Sequence, residues 1–350
     1  MRRFILHKTL LGLGIAGICF LTLAYLLNGY FLTKWKLLTE GKHSDAISFN
    51  SVTFFDPSNG LGISSLSIEK TTDGGKTWTT IRDYNDMGFY SLVFIDQKTG
   101  WIVGTESKTL NSKEENRVAS SKNHKPLILK TEDKGLNWKK VNVDEASLTK
   151  DNARFSAFLD ICFDKSGKSW IVGDGGIVEA IVENETLKVL NVTYTENTLY
   201  SVSCSESKWV WAVGNGGLVM HLQNNSWTKK NLNNDAFFMK VKVVGNDVWL
   251  VGGVRSNKEY QVKGLLLRSR DNGQNWEDKT PASADSLSDL YLNEDQGWLV
   301  GANGNIFHTS DNGDSWVKEK SPTTNDLLGI FFLDNRNGWI YGDKATILKH

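Results

Sequence analysis

The sequence has no excess of charge of either sign and contains little proline or cysteine. Forty Lys and Arg balance forty Asp and Glu, and only four Pro and three Cys occur among 350 residues. A nucleic-acid-binding protein would carry a basic excess, so the neutral balance argues against that class. The sequence also lacks a Gly-rich phosphate loop, zinc-ligand spacing and a nucleophile elbow, which are common local signatures of enzymes.

What the sequence does have is thirteen Trp, many of them in a motif that recurs at a regular interval. The motif is Trp-x-Val-Gly, with Tyr for Val in the last copy and a degenerate first copy at Leu61–Gly62. The other copies begin at Trp101, Trp170, Trp211, Trp249, Trp298 and Trp339. Most intervals are about 40 residues, which is the length of one four-stranded propeller blade. The spacing predicts an all-β fold, a single seven-bladed β-propeller over residues 34–350.

A second motif, Asp-x-Gly-x-x-Trp, predicts a tight turn before the outer strand of a blade. We expect its Asp to accept hydrogen bonds from turn amides, its Gly to supply an unusual backbone angle, and its Trp to begin the next strand. A Ca²⁺ site is the functional alternative, but the ligand spacing of an EF-hand loop is missing. We therefore interpret these residues as structural and expect no metal or cofactor. The four copies are Asp73, Gly75 and Trp78; Asp133, Gly135 and Trp138; Asp271, Gly273 and Trp276; and Asp311, Gly313 and Trp316.

The second motif resembles the bacterial neuraminidase (Asp-box) repeat. Together with the preceding Gly-Trp-x-Val-Gly motif, it resembles the photosystem II assembly and stability factor family, which has relatives in non-photosynthetic bacteria. The resemblance covers most of the chain and implies a propeller fold. It also implies contacts with a protein partner, because members of this family are thought to use an arginine patch for such contacts. Asp-box propellers include both enzymes and binding proteins, so the fold alone does not decide the function.

The N-terminal residues 1–33 are predicted to form a membrane anchor. Residues 10–32 carry no charge, and as a helix they would span about 35 Å, enough to cross a hydrocarbon core of about 30 Å. Tyr30 and Trp35 are placed as interfacial aromatic residues, and the run is longer than the apolar core of a cleaved signal peptide. We expect an uncleaved single-pass helix with the propeller on the extracytoplasmic side. Photosynthetic members typically have a lipoprotein or transit-peptide form, so we expect a divergent or non-photosynthetic relative.

The segment after the anchor is predicted to close the propeller. Trp35–Leu38 resembles the strand that follows each Asp box, and the chain ends at Ile347–His350 before such a strand could form in the last blade. A strand from the N-terminus would complete that blade and remove the exposed edges of an open array.

A ring of mostly small residues is predicted to line the central channel, where innermost strands crowd together. These residues stand ten positions before each repeat Trp, or before Leu61. Five of the seven are Ser or Gly, whereas Asp160 is expected to face channel water and Met239 is the other exception. They are Ser51, Ser91, Asp160, Ser201, Met239, Ser288 and Gly329.

The added segments of the chain are predicted to share one face of the propeller. They are an insertion at residues 105–125, a shorter one at residues 254–263, and a long connection at residues 138–155. In a four-stranded blade, these positions lie opposite the Asp-box turns, and loops on a rigid scaffold often carry binding. Four arginines on this face are the hypothetical partner-binding residues, since Arg can bind carboxylates bidentately. They are Arg82, Arg117, Arg154 and Arg255.

Cys162 and Cys204 are expected to be buried free thiols. Both lie on innermost strands of adjacent blades, but they differ by one place in the repeat register. Because side chains alternate between the faces of a strand, the two thiols are expected to point apart.

Catalysis is not expected. A sialidase needs three convergent arginines with a Tyr–Glu pair and an Asp. Asp-box endoglucanases use two facing carboxylates at the seam of two propellers, and Asp160 alone cannot supply both roles. We predict a non-catalytic, membrane-tethered propeller that binds a protein partner, in the assembly of a membrane complex. The alternative is a carbohydrate-binding or glycosidase-like propeller of the cell envelope, which acidic and aromatic residues at the channel mouth would favour.

Overall fold

The computed structural model describes residues 34–40, 48–107, 124–150, 155–205, 209–256 and 261–350. The anchor predicted at residues 10–32 lies outside these ranges. Within them, no helix is both long and apolar enough to cross a membrane.

The described residues form seven four-stranded antiparallel sheets, so the predicted seven-bladed β-propeller is confirmed. In each sheet the strands run in sequence from the channel outward, except that an N-terminal strand is the outermost strand of blade 7. The strands of blades 1 to 3 are Ser51–Phe54, Gly60–Ile63, Ser67–Thr71 and Thr79–Asp83; Met87–Phe94, Gly100–Ser107, His124–Thr131 and Lys139–Lys140; Phe158–Phe163, Ser169–Gly173, Gly176–Glu183 and Thr186–Tyr194. Those of blades 4 and 5 are Leu199–Cys204, Val210–Gly214, Leu218–Gln223 and Ser226–Asn231; Ala236–Val244, Asp247–Arg255, Val262–Ser269 and Glu277–Asp278. Those of blades 6 and 7 are Leu287–Asn293, Gln296–Gly301, Ile306–Thr309 and Val317–Lys318; Leu327–Asp334, Asn337–Gly342, Ile347–Lys349 and Lys36–Thr39. Two short 3₁₀ helices, Glu145–Leu148 and Ala302–Gly304, lie in connections.

The Asp-box turn packs against the repeat Trp of the preceding blade. In blade 6, Gly313 has φ of 77°, and a Cβ added there would lie 2.5 Å from the Trp249 ring. In blade 5, a Cβ added at Gly273 would lie 2.4 Å from the Trp211 ring. The two motifs therefore act together at the interface between blades, because only glycine combines this backbone angle with so close an approach.

The Asp boxes of blades 1 and 2 use the same geometry with other neighbours. Gly75 has φ of 93°, and a Cβ there would lie 3.3 Å from Ile347 and 3.6 Å from the repeat Trp339 of blade 7. Gly135 has φ of 80°, and its Cβ would lie 2.2 Å from Leu61, the degenerate copy of the repeat Trp. The left-handed backbone is thus common to all four boxes, whereas the tightness of the contact depends on the neighbour.

The Trp of each Asp box lies directly before the outermost strand and not within it, which differs by one residue from the sequence expectation. In all four copies the side chain packs between blades. The Trp78 indole donates a hydrogen bond to the Gly75 carbonyl at 3.2 Å, and the Trp276 ring lies 6.0 Å from that of Trp211. Trp78 and Trp138 are buried, whereas Trp276 and Trp316 are half-buried.

Hydrogen bonds hold the Asp-box turn from within. In blade 6, Asp311 accepts bonds from the Ser315 amide at 2.9 Å, the Ser315 hydroxyl at 2.6 Å and the Thr309 hydroxyl at 2.7 Å. The Thr309 hydroxyl in turn accepts a bond from the Gly313 amide at 2.9 Å. These bonds hold the pKa of Asp311 down at about 2, with the Ser315 hydroxyl as the largest cause.

The N-terminal strand closes the propeller beside the last strand of the chain. Lys36 lies opposite Lys349 and Leu37 opposite Leu348, in antiparallel register. Trp35, directly before this strand, is fully buried among the residues between blades 6 and 7. Since Lys349 lies at the level where other blades begin their Asp boxes, the chain enters the described fold from the Asp-box side.

Cys162 and Cys204 form a disulfide between blades 3 and 4, with Cα atoms 5.7 Å apart, so the expectation of free thiols was wrong. The one-place offset in register does put them on opposite faces of their own sheets. Neighbouring blades stack face to back, however, so a side chain facing the next blade meets one that faces the previous blade. An offset in register is therefore what brings the two sulfurs together.

Candidate protein-binding face

Two faces of the propeller can be distinguished by their connections. The Asp-box face carries the turns between the third and fourth strands, together with those between the first and second strands. The opposite face, called here the insertion face, carries the connections between the second and third strands and those between blades. The strand ends on either side of the two predicted insertions lie at the insertion face: Ser107 and His124 in blade 2, and Arg255 and Val262 in blade 5. Residues 108–123 and 257–260 themselves lie outside the described ranges.

The channel opens on the insertion face through a cavity of about 310 Å³. Six of the seven innermost strands shift register at the same place, and each shift gives one residue to the rim of this cavity. We call the residues at this position, with Asn50 of blade 1, the mouth ring. Apolar and aromatic side chains predominate, and Tyr90 and Met239 are 42% and 41% exposed. The mouth ring comprises Asn50, Tyr90, Leu159, Tyr200, Met239, Ser288 and Leu328.

Below the mouth ring, Asp160 joins four blades. Its carboxylate accepts hydrogen bonds from the hydroxyls of Ser91 in blade 2 and Ser201 in blade 4, each at 2.9 Å. The ammonium of Lys240 in blade 5 lies 3.4 Å away. Asp160 does line the channel cavity, but it is only 4% exposed and its carboxylate is held by these partners.

A second buried carboxylate, Asp289, lies in the same layer. It accepts bonds from the amides of Leu290 and Ile330 and lies 3.3 Å from the Lys242 ammonium. Burial opposes the charged form of Lys240, but Asp160 and Asp289 outweigh that effect, so the pKa of Lys240 lies above its ordinary value. The floor of the mouth therefore carries two carboxylates and two ammonium groups, and their formal charges sum to zero.

The channel register predicted from the sequence was off by one residue in blades 5 and 6. The residue that matches Ser51, Ser91, Asp160, Ser201 and Gly329 is Lys240 rather than Met239, and Asp289 rather than Ser288, since both lie opposite the Val of the repeat. Met239 and Ser288 belong instead to the mouth ring. The signal that could have shown this is the length of the first hairpin. Blades 5 and 6 have a two-residue turn, blade 7 has a two-residue turn with one bulged residue before it, and blades 1 to 4 have longer turns.

Two of the four hypothetical partner-binding arginines lie in the described part of the chain. Arg82 lies near the insertion-face end of an outermost strand, where its guanidinium is 5.9 Å from the Tyr84 ring centroid. Arg255 donates a hydrogen bond to Asn215 at 3.1 Å and lies 4.9 Å from the centroid of Phe237. Both are exposed, but they belong to blades 1 and 5, so they do not form one cluster. Arg117 and Arg154 lie outside the described residues.

Comparison with known proteins gives consistent results. The family model of the photosynthesis system II assembly factor YCF48 matches residues 279–350. The photosystem II assembly protein Ycf48 of Thermosynechococcus vestitus is 23% identical over 72% of this chain and 79% of its own length. The photosystem II assembly lipoprotein Ycf48 of a Synechococcus species is 23% identical over 80% of this chain and 89% of its own.

A solved structure described as YCF48 bound to D1 peptide is similar to this chain with a TM-score of 0.67 and 20% identity. The match covers 91% of this chain and 97% of the solved one. At this identity the structural likeness by itself shows the fold. The match over residues 279–350, the two relatives and the shared fold agree with the resemblance seen in the repeats: this chain is a seven-bladed β-propeller that is similar to the photosystem II assembly factors.

Proposed function

We propose that this chain is a non-catalytic, membrane-tethered scaffold that binds a protein partner through its insertion face, in the assembly of a membrane complex. The observation that carries the proposal is the mouth ring, in which apolar and aromatic side chains from several blades converge around a charge-balanced floor. Exposed apolar clusters of this kind mark protein-interaction sites, and a few buried aromatic or aliphatic anchors typically dominate the binding energy.

The relatives support a polypeptide as the partner. A similar propeller is described as bound to a D1 peptide, and two relatives are named photosystem II assembly proteins. By analogy, the partner of this chain is a membrane protein or its soluble segment. The exposed Arg82 and Arg255 would add carboxylate contacts around the mouth ring, together with Arg117 and Arg154.

The floor of the mouth supports a binding role over a catalytic one. Acid–base hydrolysis of a glycoside needs two carboxyl groups free to act on one bond. Asp160 and Asp289 instead each accept bonds from backbone amides or hydroxyls and face a lysine ammonium at 3.4 and 3.3 Å. Both carboxylates are therefore occupied by partners within the protein, and neither is free to act on a substrate.

Three observations support a tethered, extracytoplasmic propeller. Residues 10–32 have the length and composition of a membrane span, and one relative is named a lipoprotein. The Cys162–Cys204 disulfide suits an oxidising compartment. Because the chain enters the propeller at Lys36, on the Asp-box side, we propose that the Asp-box face lies toward the bilayer and the insertion face points away.

A carbohydrate ligand is the second candidate. The mouth does combine acidic with aromatic residues, since Asp160 and Asp289 lie near Tyr90, Tyr200 and Tyr341. A cavity of about 310 Å³ is at the lower limit of small-molecule sites, which favours one or two side chains of a partner over an oligosaccharide.

The test compares co-purification of partners from membranes by the wild type and by Met239→Asp, which places a charge in the mouth ring. Leu190→Asp is the matched control, because Leu190 is 44% exposed on an outermost strand away from the mouth. We expect Met239→Asp to lose the partner while Leu190→Asp retains it. Replacement of all four arginines by Ala should weaken capture and reduce its salt dependence without unfolding the protein. Unchanged recovery in both the Met239 and the arginine variants would contradict the proposal, and glycan binding that Met239→Asp abolishes would favour the second candidate.

A further inference from the structure

A cleft between blades 4 and 5 lies on the Asp-box face, away from the channel mouth. Its volume is about 340 Å³. Trp211 and His221 form one wall, with their rings stacked 3.9 Å apart. The Asp-box turn of blade 5, with Asn272 and Gln274, forms the other.

The cleft is lined by buried polar atoms that have no partner among the described residues. His221 is only 5% exposed, yet its Nε2 makes no hydrogen bond there. The Oδ1 atom of Asn272, on the opposite wall, is also unpaired. Buried polar atoms are nearly always hydrogen-bonded, because leaving one unpaired destabilises the folded state. The two walls therefore present unused hydrogen-bonding capacity to the same space.

The equivalent place between blades 5 and 6 shows how the repeat normally fills this cleft. Arg268 lies opposite the repeat Trp249, as His221 lies opposite Trp211. Arg268 makes ion pairs with Asp247 and, at 3.2 Å, with Asp314 in the next Asp box. The position of Asp314 in its motif is taken by Gln274 in blade 5. Between blades 4 and 5, both the long cation and its acidic partner are therefore replaced by shorter or neutral side chains.

The charge around this cleft is positive. Lys230 lines it from the exposed outermost strand of blade 4; it pairs with Val219 and so lies on the same face of the sheet as His221 and Trp211. No Asp or Glu is among the described lining residues, and Lys230 has no ion pair within the described part of the chain. Burial lowers the pKa of His221, so its imidazole is neutral near pH 7, and in the Nε2–H tautomer it donates a hydrogen bond.

We infer that the cleft between blades 4 and 5 binds an oxyanion, a phosphate or carboxylate group, through Lys230 and the Nε2–H of His221. The amide of Asn272 can turn to offer its NH₂ group to the same anion. This site is distinct from the mouth ring and does not depend on the protein-binding role. A free anion and the phosphate of a lipid headgroup share this chemistry.

The test uses the full-length protein in a non-ionic detergent, titrated with inorganic phosphate and followed by calorimetry and thermal unfolding. A ligand that binds only the folded state raises the melting temperature in a saturable way. We expect this rise in the wild type and at least a tenfold loss of affinity in Lys230→Gln. The variant Lys188→Gln removes the same charge from an exposed lysine elsewhere and should bind normally.

A second variant copies the closed arrangement of blades 5 and 6 into the cleft. His221→Arg/Gln274→Asp should remove phosphate binding without lowering stability in its absence. A parallel arm adds phosphatidylglycerol or phosphatidylcholine to the micelles. Stabilisation by phosphatidylglycerol alone, lost in both cleft variants, would identify the anion as a lipid headgroup. No response to phosphate or phosphatidylglycerol, or a response that both variants retain, would overturn the inference.

Discussion

Closure of the propeller by Trp35 gives a prediction whose magnitude can be worked from contacts. The Trp35 side chain is fully buried, and its ring lies 6.1 Å from Trp298, 5.9 Å from Phe332 and 5.1 Å from His350. Truncation of a buried Trp to Ala typically costs about 3–5 kcal/mol. The edge-to-face contacts with Trp298 and Phe332, worth about 0.5–1.5 kcal/mol each, are already part of that cost. Trp35→Ala should therefore lower the free energy of unfolding by about 3–5 kcal/mol.

Removing residues 1–40 should cost more than Trp35→Ala, whereas removing residues 1–32 should cost little. The larger deletion also removes the strand paired with Ile347–Lys349 and the carboxylate of Glu40, which accepts hydrogen bonds from Asn325 at 2.7 Å and Thr323 at 3.1 Å. The measurement is urea unfolding followed by far-UV circular dichroism, with Trp227→Ala as a control on a partly exposed Trp. Equal midpoints for the two deletions would refute closure by the N-terminal strand.

Further predictions concern the Asp boxes and the disulfide. Asp311→Ala should cost about 1–3 kcal/mol, measured by urea unfolding, because turn amides lose their acceptor, and it should leave partner recovery unchanged. Because the pKa of folded Asp311 is about 2, below its ordinary 3.8, its stabilising effect is present above pH ~4 and is lost as the pH falls toward 2. Acid titration of unfolding should therefore be shallower for Asp311→Ala than for the wild type. The double variant Cys162→Ala/Cys204→Ala should lose about 4 kcal/mol, by the chain-entropy relation for a sequence separation of 42, and the reductant sensitivity of the wild type should disappear with it.

The repeat motifs predict the blade count because each motif residue has a fixed packing role. A Trp such as Trp249 fills the interface with the next blade, and a Gly such as Gly313 is required beneath it. The glycine recurs at all four Asp boxes and the Trp at three of their interfaces, with Leu61 in its place at the fourth, so the interval between motifs reports the blade length. The segment that begins at Trp35 resembles the strand after an Asp box. That resemblance predicts the pairing of this segment with the last strand of the chain, which the structure contains.

The chemistry of the channel mouth could be predicted only in part. Asp160 was identified, but Lys240 and Asp289 were missed because a fixed offset from the repeat Trp ignores the shorter first hairpins of blades 5 and 6. Register along a strand depends on turn length, and a slip of one residue moves a side chain to the other face. The Cys162–Cys204 disulfide was missed for a related reason. The alternation of side chains along one strand does not tell how the faces of adjacent sheets meet, and that stacking is what brings the two sulfurs together.

Convergence of side chains from distant blades is the least predictable feature from sequence. The mouth ring draws one residue from each blade, and its members have no common residue type. Likewise, the cleft at His221 is recognisable only by comparison with Arg268, whose ion pairs fill the equivalent place. Arg82 and Arg255 share a face by topology, but topology alone does not bring them together.

Site-specific photo-crosslinking tests the proposed binding face most directly. A benzoylphenylalanine placed at Met239 reports contacts at the mouth ring, and one at Leu136, 64% exposed in the Asp-box turn of blade 2, reports contacts on the opposite face. In native membranes, we expect a protein crosslink from position 239 that Tyr200→Asp removes, and none to the same protein from position 136. A partner crosslinked from position 136 and not from position 239 would contradict the proposal that the insertion face binds the partner.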